Sequence, residues 1–321
     1  MVPLESLDAE TIKFIQEAPF CHYYLLWVVH KEDSISTPVQ LVVDPTMSGL
    51  NVCMAKGENR IGSLVDILLR NRTLEYAWTY VTKHYNQLHL ERSALPYSLF
   101  LYSDELNHAK KPATFVMKVA WYGVVPAGNQ AGYALELLVE SNSKEFPEAV
   151  DPLTRHRYGD DVVSGAGSPN LSEAQIAQSV EVLARGGFKF KHVIKSGEDP
   201  PEGASTDGES CKKLGYKWNP SEDYLAPGLG ELNFNPKVRG AKVPNSKPVT
   251  EREEARDLIK KVTLTQQTVV ARIAELFDPV GLLEPLKLQL KLHLSRLNGK
   301  PWKEPLSEEE GEFWSRVCRL P

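Results

Sequence analysis

The chain is poor in cysteine. It has four in 321 residues, at positions 21, 53, 211 and 318, and no Cys-x-x-Cys pair. That spacing argues against a disulfide framework or a thiolate zinc site and suits a reducing compartment. Membrane-spanning apolar runs are lacking as well. The stretch from Phe20 to Val29 is about ten residues, too short for a bilayer. Glu5, Asp8, Glu10 and Glu17 precede it where a secretory leader carries basic residues. There is no internal repeat and no long low-complexity tract. Nor is there a surplus of positive charge: the formal net charge is −5, so nucleic-acid binding would have to use local basic patches. Two stretches qualify, Arg185, Lys189, Lys191 and Lys195 in one acid-free run, and Lys237, Arg239, Lys242 and Lys247 in another. The plainer reading of each is a solvated face. What is present is an ordinary globular composition, 42% hydrophobic and 25% charged, in a chain long enough for two or three subdomains. The chain reads as soluble and intracellular, with no membrane partner.

Residue patterning predicts an α+β fold with a helical C-terminal part. Gln40 to Val43 reads as a strand ended by Asp44-Pro45, and Ile61 to Leu69 as a short helix with Leu64, Ile67 and Leu68 on one side. Ala77 to Leu90 reads as a strand bending into a short helix around Tyr85-Asn86-Gln87. Thr114 to Trp121 alternates with period two. A loop at Gly123–Gly128 precedes a helix from Asn129 to about Ser141. Ser172 is placed as the cap of a helix whose stripe is Ile176, Val180, Leu183 and Ala184, ending at Gly186-Gly187, with a strand from Phe188 to Ile194 after it. Residues 196–210 read as an exposed loop, and Cys211–Trp218 with Gly230–Phe234 as a second hairpin. A proline-containing linker at 235–249 follows, then a capping box at Thr250-Glu251-Arg252-Glu253. Leu286, Leu288, Leu290, Leu292 and Leu294 alternate strictly as in a strand, yet Leu286, Leu290, Leu294 and Leu297 also make a helical stripe and Leu favours helix, so a helix is expected.

The densest chemical signal is Arg157-Tyr158-Gly159-Asp160-Asp161-Val162-Val163, a hairpin whose turn holds adjacent carboxylates. Two acids at one turn repel each other unless a cation lies between them. The bland alternative is a solvated β-turn, since Gly-Asp is common hairpin chemistry.

Several segments, taken in order and spacing, resemble the reverse transcriptases of Bel–Pao type LTR retrotransposons over most of the chain. They are Leu41-Val42-Val43-Asp44-Pro45-Thr46, Asp66-Ile67-Leu68-Leu69-Arg70, Tyr85-Asn86-Gln87-Leu88 and Tyr122-Gly123-Val124-Val125-Pro126-Ala127-Gly128-Asn129-Gln130-Ala131. The Tyr158–Asp161 turn, Gly186-Gly187-Phe188-Lys189, Leu214-Gly215-Tyr216-Lys217-Trp218 and Leu276-Phe277-Asp278-Pro279-Val280-Gly281-Leu282-Leu283 complete the set. The resemblance implies a right-hand polymerase. Fingers and the start of the palm would span 1–95. The palm with its pocket loop and acidic hairpin would span 96–195, a primer-grip hairpin and linker 196–249, and the thumb with the start of a connection 250–321. It implies Mg²⁺ or Mn²⁺ held by Asp160 and Asp161 for nucleotidyl transfer. It implies deoxynucleotide contacts from Asp44, Pro126, Ala127, Gly128, Gln130, Tyr158 and Gly159, and template–primer contacts from Leu214, Gly215, Tyr216, Lys189 and Lys191. Protease, ribonuclease H and integrase domains would be partners in a polyprotein; no motif for them is evident in this chain. Cytoplasmic virus-like particles would be the setting of an active element.

Two departures touch chemistry. Where the family reads Ala-aromatic-Thr-x-Asp-Ile-Ser-Lys, this chain has Ala77-Trp78-Thr79-Tyr80-Val81-Thr82-Lys83, one residue short and without the aspartate. A fingers arginine, suited to a triphosphate, is replaced by neutral Gln40. The expectation is an impaired copy with little or no polymerase activity. A non-catalytic nucleic-acid-binding remnant, an RNA-dependent RNA polymerase and a gene-model error at 79–82 stay open as alternatives.

Overall fold

The computed structural model describes residues 1–30, 39–82, 87–103, 111–121, 123–188, 190–201, 206–207, 210–227 and 263–317. The strand expected at Gly230–Phe234, the linker expected at 235–249 with its basic run, the capping box expected at 250–253, and Lys189 lie outside them. The chain divides into two compact units, one of residues 1–214 with 220–223, the other of 215–219 with 224–321.

The first unit is built around an antiparallel sheet in the order Arg157–Tyr158, Asp161–Ala166, Tyr76–Thr82, Phe190–Lys195. Alternation in the central strand turns Trp78 and Tyr80 to one face, their rings stacked at 5.5 Å. There they join Leu135 and Val139 of the helix Ala127–Asn142, Leu153 of Val150–Arg155, and Ile176, Val182 and Leu183 of Pro169–Arg185. This is one sheet face covered by helices, and the molecule is mixed α and β as its patterning suggests. The long helix begins earlier than expected. Ser168 caps it by accepting from the Leu171 amide, and Pro169 opens it, as proline does where no amide donor is needed. Ser172, placed as the cap, lies inside the helix, and its hydroxyl donates to the Tyr76 carbonyl. The buried stripe holds Ile176, Val182 and Leu183, with Val180 half-buried against it and Ala184 exposed.

Two smaller sheets stand on the N-terminal side. Val2–Pro3, Ala113–Val116 and Leu99–Tyr102 form one; Leu26–His30 and Val39–Val43 form the other, a two-stranded ribbon. The strand expected through Trp121 stops at Val116. Met117 and Trp121 nevertheless enter a core with Tyr24, Val43 and Phe100, because Val119 keeps an isolated bridge to His89.

In the second unit Tyr216–Asn219 pairs with Tyr224–Pro227 through a short turn, so the partner of the Trp218 strand ends at Pro227 instead of following it. Three helices follow, Gln266–Glu275, Glu284–Ser295 and Glu308–Val317, around Val269, Ile273, Leu290 and Trp314. The alternating leucines of 286–294 form a helix, as their i, i+4 stripe implies.

Candidate functional site

The Tyr-Gly-Asp-Asp segment is a two-residue hairpin. Arg157 pairs with Val162 and Tyr158 with Asp161, leaving Gly159 and Asp160 at the tip. Gly159 has φ +60° with open space around it, so backbone conformation alone calls for glycine there. Tyr158, Gly159, Asp160 and Asp161 are each half-buried.

The turn is held from beneath by Arg157, 5% exposed. Its guanidinium donates to the carbonyls of Gly159 at 3.2 Å, Leu153 at 3.4 Å and Arg60 at 3.1 Å. The Gly159 amide donates to the Ile61 carbonyl at 3.1 Å. Gly62 lies so close to the Arg157 carbonyl that no side chain fits at that position. Segment 60–62 is thus the floor of the acidic turn.

The same segment braces the pocket loop. Asn129, 7% exposed, donates from Nδ2 to the Lys56 carbonyl at 2.8 Å and accepts the Arg60 amide at 3.3 Å. Arg60 also pairs with Glu136 one helical stretch further on. Asn51, in the short helix Leu50–Cys53, donates to the Gly123 carbonyl at 2.9 Å and accepts the Val125 amide at 3.0 Å. Gly123, at φ +100°, packs against the Val43 carbonyl. Chain 43–62 therefore connects three predicted elements: the Asp44 turn, the Pro-Ala-Gly loop and the acidic hairpin. Asp44 itself caps its turn, accepting the amides of Thr46 at 3.1 Å and Met47 at 2.9 Å. Pro126 and Ala127 are buried, Gly128 is half-buried and Gln130 is exposed. The helix begins at Ala127, so Gly128 belongs to its first turn and not to the loop. An apolar cleft beside the loop is lined by Tyr24, Tyr97, Trp121, Pro126, Ala127 and Gln130.

Beside the acidic hairpin, Val81 is the register partner of Asp161. The chain carries no carboxylate at that register position. Among the described residues no group of three or more His, Cys, Asp or Glu could hold a metal ion. Two carboxylates from one turn supply too few oxygens for a tight magnesium cage, and the residues present do not fit that ion.

Of the other predicted contacts, Lys191 lies on the strand Phe190–Lys195. Leu214 and Gly215 form a turn with φ +51° and +88°. Tyr216 is 1% exposed, and its hydroxyl donates to Asp278 at 2.9 Å, so its side chain faces the protein interior. Sequence reading passed over Asn51, Arg60, Asn129 and Arg157 as a group. Asn129 stands inside the Gly-Asn-Gln motif and Arg157 at the head of the acidic segment, while Asn51 and Arg60 had no local signal.

Residues 265–320 match the family model of the Pao retrotransposon-like RNaseH-like domain. This supports an origin in a Bel–Pao retrotransposon polyprotein. The match falls on the stretch that the resemblance assigns to thumb and connection, and it carries the name of a different polyprotein domain. Among the described residues that stretch holds three helices and no strand. No curated protein matches the chain. No helix among the described residues is long and apolar enough to cross a membrane.

Proposed function

We propose that this chain is a retrotransposon polyprotein segment whose first unit descends from reverse-transcriptase fingers and palm. In this reading it grips an RNA or DNA template–primer in the cytoplasm and transfers nucleotides poorly or not at all. The observation that carries the reading is the common floor at 56–62, which ties the Tyr-Gly-Asp-Asp hairpin to the helix behind the Pro-Ala-Gly loop. A solvated ornamental turn has no need of a buried arginine and a buried asparagine to fix it relative to a second loop. No catalytic step is assigned, because the carboxylates present do not complete a metal cage.

The test is a primed RNA template with deoxynucleotides and Mg²⁺, alongside a duplex-binding titration at several salt concentrations. Duplex affinity is expected to fall steeply with salt, as phosphate contacts require. Extension is expected to be absent or barely detectable. Robust extension abolished by Asp160→Asn would overturn the impaired-copy reading, and incorporation of ribonucleotides instead would favour an RNA-dependent RNA polymerase. Absence of any salt-sensitive binding would overturn the reading altogether.

The family match favours a second reading, a ribonuclease-H-like activity in 265–320. Cleavage of the RNA strand of an RNA–DNA hybrid by the purified chain would move the function there.

A further inference from the structure

The first unit holds a second polar constellation, which the polymerase reading does not use. Ser48 Oγ lies 2.8 Å from His22 Nε2, and His22 Nδ1 lies 3.3 Å from the Tyr97 carbonyl. A carbonyl only accepts, so Nδ1 carries the ring proton and Nε2 is left as a lone pair. Ser48 has one proton to give. It goes to Nε2, since the other acceptor in reach, the Asp44 carbonyl, stands at 3.4 Å. Nucleophile, base and orienter thus follow in the order that acyl transfer uses, with a main-chain carbonyl as the third member.

Both side chains are placed by their backbones. The His22 amide donates to the Pro96 carbonyl at 3.0 Å, and the His22 carbonyl accepts the Leu99 amide at 3.2 Å. Its ring meets the Tyr24 ring edge-on at 5.1 Å. Ser48 lies in the turn that Asp44 caps, and Gly49 after it, at φ +79°, has open space on its Cβ side. Both members are half-buried, so a reactant can reach them. Burial pushes the His22 imidazole below its ordinary value, against the opposing pull of the Tyr97 carbonyl. The ring is therefore neutral at pH 7 and able to take a proton. Tyr24 and Tyr97 also line the apolar cleft, together with Met54, Leu90, Val119 and Trp121. Cleft and imidazole share two walls.

We propose that Ser48 and His22 form a catalytic dyad that hydrolyses short-chain apolar acyl esters, with the acyl chain lying in the cleft. Ser48 Oγ attacks the ester carbonyl carbon while its proton passes to Nε2. The bond from that carbon to the alkoxy oxygen breaks, and the leaving alcohol takes the proton. Water then gives a proton to Nε2 and attacks the acyl-serine, and the proton returns to Ser48 as the acid leaves. Ester and water become acid and alcohol. A main-chain carbonyl steadies the imidazolium less than a carboxylate does, which restricts the dyad to activated esters. The dyad stands independently of the polymerase reading.

The test uses the full chain with Cys21, Cys53 and Cys318 changed to serine, which removes competing thiols. It is given p-nitrophenyl butyrate at neutral pH. Hydrolysis above the buffer rate is expected, falling at least tenfold in Ser48→Ala and in His22→Gln. Peptide mass spectrometry is expected to find the butyryl group on Ser48. No hydrolysis above buffer, an unchanged rate in Ser48→Ala, or the acyl group on another residue would overturn the dyad. Ser48→Cys keeps a nucleophile of similar size and is expected to be acylated at that position. Loss of acylation there as well would trace the effect of Ser48→Ala to the turn and overturn the nucleophile. Met54→Trp narrows the cleft and is expected to raise KM several-fold more for the butyrate ester than for the acetate. Equal effects on the two esters would overturn the cleft as the acyl site.

Discussion

Lys213 is 2% exposed at the end of the strand Ser210–Lys213. Loss of hydration brings its ammonium down to about 8, against the opposing pull of Asp223 and Cys211. The folded value lies below the unfolded one of about 10.4, so between roughly pH 8 and 10 the unfolded chain binds more protons and stability rises with pH. Below pH 8 the whole penalty is felt, on the order of 3 kcal/mol. Urea unfolding is therefore expected to show a stability increase from pH 7.5 to 9.5. Lys213→Met should stabilise the protein at pH 7 and flatten that profile; a flat profile in the parent would mean that the ammonium keeps its water. At this scale the sequence was only partly legible. Asp160 and Asp161 announce themselves because paired acids are rare at a turn. Arg157 and Asn129 do not, since their partners are main-chain carbonyls and amides that no residue letter encodes. The second of these gives a further expectation. Asn129→Ala leaves the Arg60 amide and the Lys56 carbonyl without their partner, a loss of about 1–3 kcal/mol in chemical unfolding.

Among elements, the helices over 127–142 and 169–185 and the acidic hairpin were legible, whereas the helix over 284–295 was one of two readings, because its leucines also alternate as in a strand. Helix ends were not legible, because Ser168 and Ser172 are equally good caps on paper and only the fixed φ of Pro169 decides between them. The partner of the Trp218 strand was misplaced for a similar reason, as Pro220 and Pro227 read as breakers although the turn between them is tight. What seats this second hairpin is a long-range contact. The Asp278 carboxylate accepts the Tyr216 hydroxyl at 2.9 Å and the amides of Gly281, Leu282 and Leu283 at 3.1, 3.0 and 2.6 Å. Gly215 leaves room for the Phe277 ring, which a Cβ would strike. Burial pushes the Asp278 carboxyl up, but these four donors outweigh it and hold it below the ordinary carboxylate range. Tyr216→Phe is expected to cost about 1 kcal/mol and Asp278→Ala about 2–4 kcal/mol, the latter leaving three amides unanswered. Amide exchange should accelerate over 216–219 and 224–227 in both variants. Unchanged exchange there would show that the strand ladder, not the carboxylate, holds the hairpin.

For the whole molecule, the division into two compact units sets how it comes apart. The core around Trp78, Leu135 and Leu183 shares no residue with the one around Val269, Ile273, Leu290 and Trp314. Chains with separate cores depart from two-state behaviour when one core is weakened. Leu290 is 3% exposed, and Leu290→Ala is expected to remove about 2–5 kcal/mol from its own unit. Calorimetry should then resolve two transitions, with the lower one shifted and the higher one unmoved. Trp314, 4% exposed, should report the lower one by a red shift of its emission. The separation bears on function as well. A variant weakened in this way loses its C-terminal helices first at intermediate temperature, while the acidic hairpin and its 56–62 floor stay folded. Hybrid cleavage that vanishes with the first transition belongs to residues 265–320, whereas duplex binding that survives until the second belongs to the sheet. A single transition displaced as one would instead show that the two cores fold as a unit, and would leave both activities inseparable by heat.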